Sequence, residues 1–275
     1  MKNETLIIIG GDKRQEHLLT ILQNDGYNCE ILNKSTEKLK DVISEKRYVV
    51  LPVPVSKDGK HIYCNNKDFI LSFEALGDTL TEKHILFGGG FTKEMVNLME
   101  QKNIVYYDFN NNEDFLIYNA FLTTQGALKL LLDNTEKDIT RRNVLITGFG
   151  RIGKALSLTL NNLNMNVTVC ARKDTQLNMA KYLGFDSIKY DTLKEKIADT
   201  DLIFNTVPVQ VFDTVCIERI KPDAVFFELA SSPFGADKKQ LVACGIKYVD
   251  GGSLPGRYTP YSAAEKIARI TENLI

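Results

Sequence analysis

The chain has 275 residues, 44% of them hydrophobic and 25% charged, with a formal net charge of −1. These values allow two ordinary hydrophobic cores and exclude a disordered or collagen-like chain. A charge so near zero gives no long-range field for polyanions, which argues against nucleic acid as a partner. The opening, MKNETLIIIGG, has an apolar run too short for a signal peptide or membrane span, and no later segment is expected to reach membrane length. Five scattered cysteines without a C-x-x-C pair read as small buried hydrophobes in a reducing compartment, so the cytoplasm is the expected setting. The three histidines, His17, His61 and His84, are isolated, and no metal site is expected.

Residues 5–9 (TLIII) form a buried-type strand that ends in Gly10-Gly11, and a helix is expected to follow as far as Asp25, with Leu18, Leu19 and Leu22 on one face. This strand–glycine–helix entry lacks the full G-x-G-x-x-G pattern, so its glycines need do no more than close a turn. Strands are expected at 28–32, 48–53, 85–87 and 104–107, with a helix over 92–102. After the polar break NNNE (110–113), a long helix over 114–132 leads into the second half.

There the run NVLITGFGRIGKA (143–155) places Gly148, Gly150 and Gly153 at dinucleotide-binding spacing, after an apolar strand and before a helix over 154–163. Gly148 allows the sharp turn, Gly150 leaves room for a pyrophosphate, and Gly153 lets the helix approach the strand. The helix N-terminus favours the phosphate charge, and Arg151 and Ile152 lie inside the same loop. The next strand, 166–171, ends in Ala171, Arg172 and Lys173. Two cations at that tip suit the 2′-phosphate of NADP, whereas NAD is usually met there by a carboxylate; Asp174 is one step further on. A helix over 179–183, strands at 201–205, 225–229 and 246–249, and a terminal helix over 262–274 complete the pattern.

Strands alternating with helices predict an α/β chain of two doubly wound parallel-sheet domains. The first is expected over 1–120 with the C-terminal helix 262–275, by analogy with two-domain dehydrogenases. The second, the Rossmann dinucleotide-binding domain, is expected over 121–261, and an interdomain cleft is expected between the two. Ligands of such sheets bind at the carboxyl ends of the strands. In the second domain these ends carry Thr206, Val207 and Pro208, expected near the nicotinamide ribose, and Ser231 and Ser232, which lack a G-x-S-x-G context and read as phosphate or ribose contacts. In the first they carry Gly10, Gly11, Asp12, Arg14, Pro54, Ser56 and Gly88 to Gly90.

The opening IGGDKRQ with ITGFGRIGKA, CARK, FNTVP, ELASSPFGAD and GGSLPGRYTPYSAAEKI resembles the dipicolinate synthase A-subunit family over nearly the whole chain. Near its end the family tends to run LPG, Ala-Pro, Thr-Ala-Gly, where this chain has Thr259-Pro260 and Ser262-Ala263-Ala264. The resemblance implies an NADP-dependent oxidoreductase of sporulating bacteria that oxidises dihydrodipicolinate to pyridine-2,6-dicarboxylate together with a flavoprotein-like B-subunit. A substrate with two carboxylates then calls for cations: Arg14 and Arg257, with Lys57, sit in loops at the expected cleft edges. Asp12, Tyr258 and His61 are the candidates for the proton. Another two-domain dehydrogenase of the shikimate or alanine dehydrogenase type, using Lys57 with Asp58 or Lys60 with His61, is an alternative. So is an NADP-binding scaffold that holds the B-subunit. Assembly with further copies of the chain stays open.

Overall fold

The computed structural model describes residues 4–37 and 39–275. They divide into two compact units, Met1–Asn119 with Pro255–Ile275, and Ala120–Leu254. The first unit contains β1 (Thr5–Ile9), α1 (Lys13–Asn24), β2 (Asn28–Leu32), α2 (Leu39–Ser44), β3 (Tyr48–Val50), α3 (Phe73–Thr79), β4 (Ile85–Gly88), α4 (Lys93–Gln101) and β5 (Val105–Asp108). Helix α5 (Glu113–Asn134) passes from the first unit into the second. The second unit continues with β6 (Asn143–Thr147), α6 (Arg151–Asn162), β7 (Asn166–Cys170), α7 (Asp174–Tyr182), β8 (Asp186–Ile188), α8 (Leu193–Lys196), β9 (Leu202–Asn205), α9 (Thr214–Glu218), β10 (Val225–Glu228), α10 (Lys238–Ala243) and β11 (Lys247–Asp250). Helix α11 (Leu254–Tyr258) and helix α12 (Pro260–Glu272) return the chain to the first unit.

Each unit is built on one parallel sheet. The first has five strands in the order β2-β1-β3-β4-β5; the second has six, β11-β10-β9-β6-β7-β8. The latter is the Rossmann order, with its topological switch between β6 and β9. Both fold expectations, parallel α/β units and a Rossmann second unit, hold.

Alternation along the strands explains the layering of the first unit. Ile7 and Ile9 of β1 pack with Val49, Leu76, Leu86 and Met95 on one face, while Leu6 and Ile8 pack with Leu18, Leu22, Ala264, Ile267 and Ala268 on the other. The second face is therefore roofed by α1 and α12 together. The small side chains Ala264 and Ala268, both fully buried, let the two helices come close.

Several boundaries differ from expectation. Strand β3 stops at Val50 because Pro52 and Pro54 remove backbone donors from the ladder, although Leu51 N still donates to Phe87 O at 2.7 Å. Helix α6 starts at Arg151 and α7 at Asp174, both before the apolar pattern of each begins. Residues 255–261, expected in the second domain, lie with the first: Gly256 of α11 packs against the Asp12 and Arg14 side chains there. The expectation that no later segment reaches membrane length fails for α5, which has 22 residues and qualifies by length and hydropathy, with half of its most apolar window buried.

Candidate functional site

In the second unit, the turn from β6 into α6 has the shape the glycines imply. Gly148 has φ +90°, and a Cβ there would lie 2.6 Å from both Thr206 Oγ1 and Val207 Cγ1. A Cβ on Gly153 would fall 2.2 Å from Gly148 O, so helix and turn touch backbone to backbone. Gly150 is different: it has φ −81°, and a Cβ there would meet nothing within 4 Å. As the N-cap of α6 it supplies no side-chain acceptor, unlike Asp12, Ser72 and Thr92, which cap α1, α3 and α4 with their own oxygens. The start of α6 therefore has no side-chain cap of its own and lies beside open space. This is a cradle that fits a pyrophosphate.

The neighbouring strand ends are tied together below it. Thr206 Oγ1 donates to Thr147 O at 2.7 Å, and Thr147 Oγ1 to Asn205 Oδ1 at 2.6 Å. Asn205 Nδ2 in turn donates to Glu228 Oε1 at 2.5 Å. Glu228 also accepts from Ala230 N at 3.1 Å and Gly235 N at 2.9 Å, so one buried carboxylate fixes the ends of β9 and β10 and the loop beyond. Burial pushes the Glu228 carboxyl above the ordinary glutamate range, against the N–H groups that favour its ionised form. Sequence reasoning missed Asn205 and Glu228. The signal was a polar residue ending each of two apolar strands.

Thr206 and Val207 are half-buried beside Gly148, whereas Pro208 and Ser231 are exposed. Ala171 is buried at the end of β7, and Arg172 and Lys173 are exposed beyond it. Asp174, the carboxylate that would have spoken for NAD, is the first residue of α7 and pairs with Lys189 at 2.8 Å. Arg151 is exposed and Ile152 half-buried in the first turn of α6.

In the first unit, the β1–α1 turn is built differently. Asp12 caps α1 in a capping box with Gln15, and accepts from Arg14 twice more: Nε to Oδ1 at 2.9 Å and Nη2 to Oδ2 at 2.8 Å. Both side chains are 5% exposed. Burial opposes ionisation of Asp12, but the bonds and charge of Arg14 outweigh it and hold the carboxyl below its ordinary range. This N-terminus carries its own anion and offers no phosphate site. Both oxygens of Asp12, one of the candidates for the proton, accept from Arg14. The guanidinium fork expected to clamp a carboxylate is half spent within the chain. Gly88 and Gly89 likewise serve packing: a Cβ would meet Val55 and Phe91, or Val53, at 2.7 Å.

Arg257 is exposed on α11 and donates from Nη2 to the Tyr258 hydroxyl at 3.3 Å. Lys57 stands with Nζ 3.7 Å from the centroid of the Tyr63 ring. His61 Nδ1 lies 2.7 Å from Asp58 Oδ2, and Asp58 Oδ1 accepts from Ser56 Oγ at 2.9 Å.

Both units have relatives among known proteins. The model of the dipicolinate synthase A-subunit N-terminal domain matches residues 5–110, and that of the D-isomer specific 2-hydroxyacid dehydrogenase NAD-binding domain matches residues 119–243. The dipicolinate synthase A-subunit of Bacillus subtilis (strain 168) is 27% identical over 98% of this chain and 95% of its own. The crystal structure of the dipicolinate synthase A-subunit from Bacillus halodurans superposes with a TM-score of 0.87 at 22% identity, covering 99% of this chain and 98% of that one. A shikimate dehydrogenase (NADP(+)) of Methanococcus maripaludis is 29% identical over 46% of this chain and 49% of its own.

Proposed function

We propose that this chain, a two-domain oxidoreductase with an NAD(P)-binding unit and related along its length to the dipicolinate synthase A-subunit, oxidises dihydrodipicolinate to pyridine-2,6-dicarboxylate with NADP. The observation that carries this reading is the open, uncapped start of α6 at Gly150, with Arg172 and Lys173 at the adjacent strand end. When bound, the dinucleotide supplies the hydride acceptor.

The chain's own residues do the rest. The N–H groups of Arg151, Ile152 and Gly153 take the pyrophosphate, helped by the Arg151 charge. Arg172 and Lys173 take the 2′-phosphate beside Ala171, which favours NADP over NAD. Thr206, Val207, Pro208 and Ser231, positioned through Asn205 and Glu228, line the nicotinamide ribose. In the first unit Arg14, Arg257 and Lys57 are the cations available to the substrate carboxylates, and Asp12 holds Arg14 in place. Tyr258 and His61, whose ring Asp58 orients, are the groups suited to the proton that leaves as the ring becomes aromatic. The partner is the flavoprotein-like B-subunit, the setting the cytoplasm of a sporulating cell.

Mixing the purified chain with NADP and dihydrodipicolinate, with and without the B-subunit, tests the reading. NADPH formation by the chain alone is expected. NADPH formed only when the B-subunit is present, with unchanged NADP binding by the chain, would leave it a scaffold.

A further inference from the structure

The β3–α3 connection folds back onto the β1–α1 turn and sets Tyr63, with the Lys57 ammonium on its ring, beside Asp12. Gly11 N donates to Tyr63 O at 2.6 Å, Asn65 N to Gly11 O at 2.8 Å, and Tyr63 N to Val55 O at 2.8 Å. A Cβ on Gly10 would lie 2.7 Å from Tyr63 O, and the φ of +67° there also favours glycine, so the close approach depends on that residue. These bonds fix the Tyr63 backbone. Its hydroxyl donates to Asn65 Oδ1 at 2.6 Å and lies 3.5 Å from Asp12 Oδ2. Its ring carries the Lys57 ammonium at 3.7 Å, close to the best distance for attraction to an aromatic face. Lys57 also contributes to holding the Asp12 carboxyl below its ordinary range, so its charge is felt at the Asp12–Arg14 pair. Arg14 uses Nε and Nη2 on Asp12, and its Nη1 has no partner among the described residues.

We infer that Arg14, held by Asp12, and Lys57, held over the Tyr63 ring, form one binding site for a small planar dicarboxylate, with Arg14 Nη1 taking one carboxylate and Lys57 Nζ the other. The inference rests on the reading that the first unit receives a dicarboxylate substrate, and it makes Tyr63 a positioning residue. A flexible lysine on an exposed loop would lose much of its rotamer freedom on binding. Holding it over the ring reduces that cost before the ligand arrives. Tyr63 also couples the two cations: its hydroxyl faces the Asp12 side and its ring the Lys57 side.

Calorimetric titration of the full chain with pyridine-2,6-dicarboxylate, and with the one-armed pyridine-2-carboxylate, tests this site. Lys57→Met is expected to weaken the dicarboxylate about tenfold or more and to change the monocarboxylate far less, because only the former uses both cations. Tyr63→Leu should match Lys57→Met, and Tyr63→Phe, which keeps the ring, should fall between it and the parent chain. NADP affinity, measured on the same preparations, should not move, which reports that the chain is folded. Dicarboxylate binding by Lys57→Met and Tyr63→Leu equal to that of the parent overturns the site, as does equal loss of both ligands. Turnover of dihydrodipicolinate by the parent chain is recorded separately. Turnover with insensitive variants removes the site and keeps the oxidation, while the expected affinity loss without turnover does the reverse.

Discussion

Two buried carboxylates show how differently one functional group is used in the two units. Asp12 is more acidic in the folded chain than its ordinary 3.8, so its pairing with Arg14 stabilises the fold above that pH and ceases to as the pH falls through the lowered value. Glu228 is less acidic than its ordinary 4.5, so its contribution is complete below 4.5 and is lost as the pH rises through the raised value. Urea midpoints measured from about pH 3 to about pH 8 should therefore respond oppositely: Asp12→Asn flattens the acid limb, and Glu228→Gln flattens the decline on the alkaline side. At the tip of β7, Arg172→Ala with Lys173→Ala should cost NADP binding about 1.5–3 kcal/mol and leave NAD nearly unchanged, read by titration of each coenzyme. Equal loss of both would remove the 2′-phosphate assignment. The residue types at these positions were legible in the sequence; their partners were not. That Asp12 occupies the fork of an arginine two residues on, or that Asp174 turns to Lys189, depends on side-chain direction at a helix start. Residue spacing alone does not encode it.

At the scale of elements, the long apolar strands and α1, α4, α5 and α12 were readable because burial imposes a period on them. Helices α2, α3, α8, α9, α10 and α11 were not anticipated, nor was β8. Each is short, and a segment of one or two turns shows too little periodicity to stand apart from a loop. In α11, Arg257 was expected in a loop, yet Gly256 lets a short helix lie against the Asp12–Arg14 pair. The α1–α12 contact makes a separable prediction. Ile267, 1% exposed beneath α1, cut back to Ala should destabilise the chain by about 2–5 kcal/mol through the cavity it leaves. Thermal melting would detect that loss, and NADP affinity below the melting temperature should stay as it was, because the dinucleotide cradle belongs to the other unit.

For the molecule as a whole, the Rossmann order of the second sheet carries the cofactor assignment. The same strand–glycine–helix device opens both units, and a single difference separates their uses. Asp12 closes the first with the chain's own carboxylate, while Gly150 leaves the second open to a foreign anion. The most direct test of that difference is to titrate NADP into the parent chain and into Gly150→Val. The position has open space and an ordinary φ, so the valine should fold without strain, and circular dichroism and melting should match the parent. The account predicts that the parent binds NADP and the variant does not; NADP binding to Gly150→Val with the parent's affinity would contradict it.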